Sequence, residues 1–522
     1  MIAFNEEKVQ TMLEKLSLKQ KVALMCVTGV PGQQVTEQDR GRIGETEVGG
    51  LGLFPHNISS EQQLKQLVTD IEAASARNGL PYPALLSIDE EGGSLSNLTD
   101  FYVSVPGNRA IGLAEDAGLA YLTGKVIGSQ LFHLGIGMDW APVLDVNTNP
   151  LNPVIGVRSF HEDAAISAAY GQAFILGMHR SGVAATAKHF PGHGDVAVDS
   201  HKALPTCSLT LEQLHREALV PFKAAIEADV DAIMVAHVVF DQITEAGGLP
   251  ASLSRYFVTE LLRGELGYQG VICTDDIEMH AIGLYFTPEQ AGVLAVKAGN
   301  DQVLMCHTPE FQDRVMTGII AAVEQGGIPE RQIDASVSRI LALKLRMASY
   351  RRHAAPLTMH EAEMTALHIA TSSIVTTRDP AGLLPLSHDP TYLLIMPRQR
   401  KLTQADSTEG KEIALAGYLA EQHYNMVTAY ISQQPTPDEI AGILELLPTV
   451  DVVIQCTINA HMFREQLKLA ELCAESKPHL CLVLRNPYDA SELPASSSVV
   501  SICSTSEISM RAFIELHTSS NL

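Results

Sequence analysis

The chain has 522 residues, of which 46% are hydrophobic, and a formal net charge of -24. This hydrophobic content excludes a disordered polymer, and the length favours roughly two to four domains. The negative charge argues against nucleic acid and anionic membrane surfaces as partners, since both are polyanions.

The N-terminal segment MIAFNEEKVQTMLEKLSLKQKVALMCVTGV lacks the basic stretch and long apolar run of a secretory signal peptide. No segment approaches the roughly 18 consecutive apolar residues that favour a membrane span. The eight cysteines are scattered, several of them inside apolar runs, and none forms a CxxC pair. We therefore expect a cytoplasmic protein with buried, reduced thiols, without a disulfide framework or a zinc site.

The first two-thirds of the chain alternates short apolar runs with amphipathic segments. The runs, which predict buried strands, are VALMCVTG, VGGLGLF, ALLSIDEEGG, MDWAPVLDV, VAATAKHF, AIMVAHVVF, VICTDD and QVLMC. Two of the helix-like segments begin at predicted caps, one at Ser59-Ser60 before Glu61 and one at Thr210. About eight such units predict a (β/α)8 TIM-like barrel over residues 1–350. An open, doubly wound sheet is the alternative, which periodicity alone does not exclude.

A charged, proline-containing segment, ASYRRHAAPLTMHEAEM, predicts a linker over residues 351–364. The apolar runs beyond it include HIATSSIVTTRD, TYLLIMPR, VDVVIQCTINA and HLCLVLRNPYD, and helical segments such as FREQLKLAELCAE separate them. This second alternation predicts a smaller α/β sandwich domain over residues 365–522.

Ionisable side chains follow four of the predicted barrel strands directly. Asp89 follows ALLSI, Lys188 and His189 follow VAAT, His237 follows AIMVA, and Asp275 follows VICT. Active sites of (β/α)8 barrels lie at the C-terminal ends of the strands. The sequence therefore predicts that the chemistry is carried at this end of the barrel.

The segment KHFPGHGDVAVDSHKALP carries three histidines, at positions 189, 193 and 201. It has no HExxH or cysteine pattern, and a Pro-Gly pair interrupts any helix, so metal binding is disfavoured. Asp199 and His201 are two residues apart. If the loop bends, the carboxylate can orient the imidazole and raise its basicity, which predicts an acid/base pair. A structural Asp–His hydrogen bond is the alternative.

The segment VICTDDIEMHA places two aspartates at a strand end, where successive residues face opposite sides. Asp275 could enter the barrel mouth as a nucleophile, and Asp276 is the better candidate for a helix cap. A carboxylate nucleophile with an acid/base partner is the minimal set for retaining glycoside hydrolysis. Aspartate suits this role because it is ionised at neutral pH.

Four further side chains supply the anions and cations that bind sugar hydroxyls: Asp89, Arg158, Lys188 and His189. Each of the first two also has a structural alternative. Asp89 could stabilise the Gly-Gly turn that follows it, and Arg158 could form a structural ion pair.

The combination of KHFPGHGDVAVDSH, DEEGG, NPVIGVRSF and TDDIEM resembles glycoside hydrolase family 3, in particular the two-domain form of its β-N-acetylglucosaminidase branch. The resemblance covers the barrel, and CTINAHMFREQLKLAELC and LVLRNPYDASELP extend it to the C-terminal domain. It implies a retaining mechanism with Asp275 as the nucleophile and His201, paired with Asp199, as the acid/base. It implies no metal or organic cofactor. The positions that it implies for binding the N-acetylglucosamine ring are Asp89, Arg158, Lys188 and His189.

The chain departs from this family after the EGG motif. The family usually carries arginines there, one of which contacts the sugar, whereas this chain has Ser94 and Asn97. Glu90 also stands where glutamine is common. Loss of an arginine removes a charge-assisted hydrogen bond worth about 1.5–3 kcal/mol. We expect the departure to affect substrate specificity rather than the reaction class, because the nucleophile and the Asp–His pair are present.

We therefore expect a retaining exo-β-N-acetylglucosaminidase that acts on muropeptides, in peptidoglycan recycling, or on chitooligosaccharides. A phosphorylase is an alternative, because a neutral histidine repels phosphate less than a glutamate would. Another β-hexosidase of the same family stays open because of the missing arginines, and a non-catalytic sugar-binding protein ranks below both. The expected partner is a small carbohydrate, bound by a monomer or a homodimer.

Overall fold

The computed structural model describes residues 6–46, 48–76, 85–196 and 204–518. The strands in these ranges are β1 (Cys26–Gly29), β2 (Gly50–Leu53), β3 (Leu85–Ile88), β4 (Met138–Asp139), β5 (Ala184–Phe190), β6 (Thr206–Cys207), β7 (Ala232–Val235), β8 (Val239–Phe240), β9 (Val271–Thr274), β10 (Val303–Leu304), β11 (Val375–Arg378), β12 (Tyr392–Pro397), β13 (Met426–Ile431), β14 (Val452–Thr457), β15 (His479–Val483) and β16 (Ser498–Ser501).

The α-helices of the same ranges are α1 (Glu6–Leu13), α2 (Leu18–Leu24), α3 (Glu37–Thr46), α4 (Glu61–Ser75), α5 (Asn108–Leu113), α6 (Ala117–Leu134), α7 (Ala164–Ser181), α8 (Leu211–Arg216), α9 (Val220–Glu227), α10 (His280–Gly283), α11 (Pro288–Ala298), α12 (Pro309–Glu324), α13 (Glu330–His353), α14 (Met359–Ser373), α15 (Leu415–Glu421), α16 (Pro437–Leu446), α17 (Glu465–Ser476), α18 (Asp489–Glu492) and α19 (Glu507–His517). A π-helix covers Tyr256–Glu265. None of the described helices is long and apolar enough to cross a membrane.

Eight parallel strands form a nearly closed barrel in the order β10-β1-β2-β3-β4-β5-β7-β9. The first and last strands of this order, β10 and β9, meet where the Thr274 amide donates to the Gln302 carbonyl oxygen at 3.1 Å. The strand order follows the chain and never reverses, as it would in a doubly wound sheet. The predicted (β/α)8 barrel is therefore confirmed, and the open-sheet alternative is excluded.

Local sequence signals explain several barrel elements. Every residue of β3 and β5 is buried, as expected of strands that are covered on both faces. The predicted cap at Ser60 accepts from the Gln63 amide, and Thr210 forms a capping box with Gln213. These caps fix where the helices begin, and hence how long each strand-to-helix loop can be.

A second, six-stranded sheet has the order β11-β16-β15-β14-β12-β13. All of its pairs are parallel except β11 with β16. Apolar side chains fill both faces: Leu394 and Leu482 lie on one, and Leu393 and Val453 on the other. The predicted smaller α/β sandwich after the barrel is thus confirmed.

The beginning of this second part differs from the apolar run predicted there. The first half of the segment HIATSSIVTTRD is helical, because α14 starts from a capping box at Thr358 and continues to Ser373. Only its last residues form the edge strand β11. Helix α13 ends at His353, so the predicted linker 351–364 spans the end of one helix and the start of the next. The domain boundary itself remains a prediction.

Candidate active site

A cavity of about 310 Å³ lies at the C-terminal ends of the barrel strands. Asp89, Lys188, His189 and Asp275, which sequence analysis placed at strand ends, all line it, and so does Arg158. Apolar side chains complete the wall, and residues of the second part contribute its outer edge. These further lining residues include Phe54, Trp140, Met234, Met279, Lys401, Gln404 and Asp406.

Lys188 lies at the centre of an ion-pair network on one wall. Its Nζ atom is 2.5 Å from Asp89 Oδ1 and 2.6 Å from Glu91 Oε1. Glu91 also accepts two hydrogen bonds of 2.8 Å from the Nε and Nη2 atoms of Arg158. Two cations and two carboxylates therefore fix one another, and this geometry holds the tips of Lys188 and Asp89 toward the cavity.

Burial and pairing act in opposite directions on these groups. Burial alone would raise the pKa of Glu91, but Arg158 and Lys188 lower it to about 2. Burial alone would lower the pKa of Lys188, but Asp89 and Glu91 raise it. Glu91 and Lys188 are therefore charged at neutral pH, and the network has the donors and acceptors that a ligand hydroxyl group would need.

Asp145 organises the two histidines at the end of β5. Its Oδ2 atom lies 2.7 Å from Nδ1 of His189, and its Oδ1 atom accepts from the His193 amide at 2.6 Å. A carboxylate accepts, so His189 donates from Nδ1 and its ring orientation is fixed. Burial would raise the pKa of Asp145, but His189 and His193 lower it.

His193 is a buried polar side chain of this wall. Its exposed fraction is 3%, it lines the cavity, and neither ring nitrogen has a hydrogen-bond partner among the described residues. Burial lowers its pKa to about 4. The ring is thus neutral at pH 7 and retains one donor and one acceptor at the cavity.

The two adjacent aspartates after β9 have different surroundings. The Asp275 amide donates to the Val235 carbonyl at the end of β7, and Asp275 Oδ1 accepts from the next amide at 2.8 Å. The Asp276 carboxylate instead accepts from the amides of Glu278 and Cys306. Burial raises the pKa of Asp276 to about 6. Asp276 does not cap α10, whose N-cap is Met279; it joins the loops after β9 and β10.

The segment that lacks the family's arginines is held by other groups. Asn97 lines the cavity, and its Nδ2 atom donates to the Asp89 carbonyl at 2.6 Å. Glu90 accepts from the Ser96 hydroxyl and from the Asn97 amide. Ser94 accepts from the amide of Ser407 at 2.8 Å. The turn thus docks on a loop of the second part of the chain.

Asp199 and His201 lie outside the described residues, but both ends of their loop are described. Asp145 and Asn152 hold the first end, because Asn152 Nδ2 donates to the His193 and Gly194 carbonyls. At the other end, β6 pairs with β8 over Thr206–Cys207.

Sequence reasoning missed two residues of the site, Glu91 and Asp145. Each carried the same signal as Asp89, a carboxylate at the end of an apolar run. The remaining strand-end candidate, His237, is 1% exposed and bonds to Ser252 Oγ and the Asp276 carbonyl, so it joins β7 to its neighbours.

A larger cleft, of about 650 Å³, lies between the barrel and the second part, and shares Ser407 with the site. Its described lining contains no residue from the end of a barrel strand, so the smaller cavity is the candidate active site. Among the described residues, no group of three or more histidine, cysteine or acidic side chains could hold a metal ion.

Residues 15–343 match the glycosyl hydrolase family 3 N-terminal domain. A solved glycoside hydrolase family 3 β-N-acetylglucosaminidase from Paenibacillus sp. str. FPU-7 is 38% identical, covers 96% of each chain and superposes with a TM-score of 0.88. β-Hexosaminidase A of Pseudoalteromonas piscicida is 29% identical over 88% of this chain and 83% of its own. The β-hexosaminidase of Stenotrophomonas maltophilia (strain K279a) is 37% identical over 56% of this chain and 87% of its own. The chain therefore belongs to glycosyl hydrolase family 3 and is a glycoside hydrolase.

Proposed function

We propose that the protein is a retaining exo-β-N-acetylglucosaminidase, with Asp275 as the nucleophile that forms a covalent glycosyl–aspartate. The observation that carries this proposal is the cavity at the strand ends, where Asp275 faces a wall of paired charges. A retaining glycosidase needs a carboxylate beside the anomeric carbon, and aspartate is ionised at neutral pH. Its carboxylate orientation is supported by the neighbouring amide, which donates to Oδ1.

Sugar binding is assigned to Asp89, Arg158, Lys188 and His189. Lys188 and Asp89 are a donor and an acceptor held 2.5 Å apart, and they can bind two neighbouring hydroxyls of one ring. Glu91 would keep Arg158 and Lys188 in position without contacting the sugar, because its own oxygens are occupied by these cations.

The acid/base role is assigned to His201, with Asp199 as the group that orients it. Histidine can protonate the leaving oxygen and then activate water for hydrolysis of the covalent intermediate. This assignment is supported by the family motif and by the hydrogen bonds that hold the described start of the loop at His193, which lines the cavity.

The substrate is proposed to end in β-linked N-acetylglucosamine, in a muropeptide or a chitooligosaccharide. This is supported by the Paenibacillus β-N-acetylglucosaminidase, which matches nearly the whole chain. A cavity of about 310 Å³ lies at the lower end of the range for small-ligand sites.

We also propose that the enzyme works in the cytoplasm, where muropeptides would reach it during peptidoglycan recycling. This is supported by its eight cysteines, which are all free and buried. Free thiols persist in a reducing compartment.

The test is a panel of aryl β-glycosides, carrying N-acetylglucosamine, glucose, xylose or N-acetylgalactosamine, with and without phosphate. We expect N-acetylglucosaminide hydrolysis by the wild type and none by Asp275→Ala, and His201→Ala should be strongly slowed. Asp241→Ala is the matched control, because Asp241 is an exposed aspartate that bonds to Ser208.

Full activity of Asp275→Ala would refute the proposal. Preference for the glucoside would refute the branch, and a sugar 1-phosphate product would identify a phosphorylase.

A further inference from the structure

The segment after β4, residues 146–152, supports the start of the loop that carries Asp199 and His201. Asn152 Nδ2 donates to the carbonyl oxygens of His193 and Gly194, at 2.8 and 3.0 Å. The Thr148 hydroxyl donates to Asp195 Oδ1 at 2.9 Å. Gly194 lies so close that a Cβ atom there would be 1.8 Å from the Val146 carbonyl oxygen. The path of residues 193–195, at the described start of the loop, is therefore set by where residues 146–152 lie.

Two side chains of the second part of the chain hold this same segment. Asn147 Nδ2 donates to the Tyr488 hydroxyl at 3.0 Å. His461 Nε2 lies 3.0 Å from the Pro150 carbonyl oxygen, which only accepts, so the imidazole is the donor. His461 is 7% exposed and Asn147 2% exposed, so water competes little for either contact.

His461 and Tyr488 are themselves fixed. His461 bonds through Nδ1 and through its own amide to Asp489 Oδ1, at 2.7 and 3.0 Å. The guanidinium of Arg109, a barrel residue, lies over the Tyr488 ring at 5.8 Å. Two rigid side chains thus reach from the second part of the chain to two points of one barrel segment.

We propose that His461 and Tyr488 are positioning residues for the acid/base loop. By fixing Asn147 and Pro150 they fix the start of the loop, and with it the distance from which His201 reaches the leaving oxygen. The inference rests on the proposed function, because it takes His201 as the acid/base. Neither residue lines the cavity, so sugar binding and nucleophilic attack by Asp275 should not depend on them.

The kinetic signature follows from the chemistry of the leaving group. A phenyl glycoside has a poor leaving group that must be protonated as the bond breaks, whereas a 2,4-dinitrophenyl glycoside departs without protonation. Misplacing the acid should therefore lower kcat/KM for the phenyl N-acetylglucosaminide and spare the dinitrophenyl one. A general loss of structure would lower both.

The experiment compares wild type with Tyr488→Phe, His461→Ala and the double variant on these two substrates. Tyr488→Phe keeps the ring under Arg109 and removes only the hydroxyl. We expect kcat/KM of the double variant to fall by about tenfold on the phenyl substrate and to stay within about twofold on the dinitrophenyl substrate. His461→Gln, which keeps a donor, should recover part of the loss.

Arg464→Ala is the matched control in the same region, because Arg464 is exposed and its ion pair is with Glu492 of the second part. It should leave both substrates unchanged. Equal losses on both substrates in the double variant, or no loss on the phenyl substrate, would overturn the positioning role. His201→Ala is the benchmark: if it shows no dependence on the leaving group, the acid/base assignment itself fails, and the positioning role fails with it.

Discussion

Glu91 is the carboxylate that allows two cations to lie side by side in the wall of the site. It contacts both Arg158 and Lys188, and its side chain is 2% exposed. Removing one charge of a buried ion-pair network leaves the others uncompensated, which is more costly than the pair is stabilising. The positions of the proposed sugar-binding groups therefore depend on a residue that the sugar need not touch.

We predict that Glu91→Gln lowers the free energy of unfolding by about 3 kcal/mol and raises KM. Denaturant unfolding and steady-state kinetics measure the two effects. Glu90→Gln is the matched control: burial raises the pKa of Glu90 to about 7, so a neutral side chain is already well tolerated there. The Ser96 hydroxyl, which contacts Glu90, can accept from the new amide. Equal effects of both substitutions would contradict the account of the network.

His193 makes the free energy of unfolding depend on pH in the acid range. Burial lowers the pKa of its imidazole to about 4, below the roughly 6.5 of an unfolded histidine. Between these two values the unfolded chain binds the extra proton, so the free energy of unfolding falls as pH falls from about 6.5 to 4. The corresponding loss is of order 3 kcal/mol.

We predict that His193→Gln has a flatter dependence of stability on pH over this window than the wild type. Denaturant unfolding at several pH values between about 4 and 7 measures the two slopes. Identical slopes would show that His193 is not the neutral, buried group described here.

At the scale of elements, the strands and their order were the most predictable part. Fully buried strands such as β3 and β5 appear in the sequence as largely apolar runs. A helix cap such as Thr210 is recognisable from the few residues around it. Helix α14 was missed because an alanine-rich, β-branched segment gives the same hydrophobic pattern as a buried strand.

The ion pairs and hydrogen bonds between residues of the site were less predictable than the set of residues that line it. Asp89 and Lys188 were expected at strand ends, but their direct ion pair and the bridge from Lys188 to Arg158 through Glu91 depend on how neighbouring strands are placed, which periodicity does not specify. The contacts of His461 and Tyr488 with the barrel join residues more than 300 positions apart and had no signal in the sequence.

The start of the loop that is proposed to carry the acid/base residue offers a test at this scale. A methyl group on Gly194 would meet the Val146 carbonyl, so Gly194→Ala must displace the loop or its support. We predict a loss of stability of about 1–3 kcal/mol and a fall in kcat/KM. Gly32→Ala is the control, because a Cβ atom at Gly32 meets nothing within 4 Å. Unchanged kinetics of Gly194→Ala would mean that the loop start does not need this position.

At the scale of the whole molecule, one apolar cluster of the barrel extends into two helices of the second part, whose sheet has further clusters of its own. Buried residues of α14 and α19, such as Ile369 and Ile508, belong to the same cluster as Leu131 and Phe174 of the barrel helices. This continuity predicts that the two parts unfold together.

We therefore predict a single cooperative transition in differential scanning calorimetry, with equal calorimetric and van't Hoff enthalpies. Ile369→Ala, in the shared cluster, should lower the transition temperature of the whole molecule without splitting the peak. Two resolved transitions in the wild type would show that the shared cluster does not couple the parts.

The most direct measurement of the central claim is to trap the covalent intermediate and locate it. Incubation with 5-fluoro-β-N-acetylglucosaminyl fluoride should leave one fluorosugar on the enzyme, because the ring fluorine slows hydrolysis of the intermediate while fluoride departs easily. Peptide mass spectrometry should find the added mass on Asp275 and none in Asp275→Ala. A sugar attached to any other residue, or an Asp275→Ala enzyme that still hydrolyses the aryl N-acetylglucosaminide at the wild-type rate, would contradict the assignment.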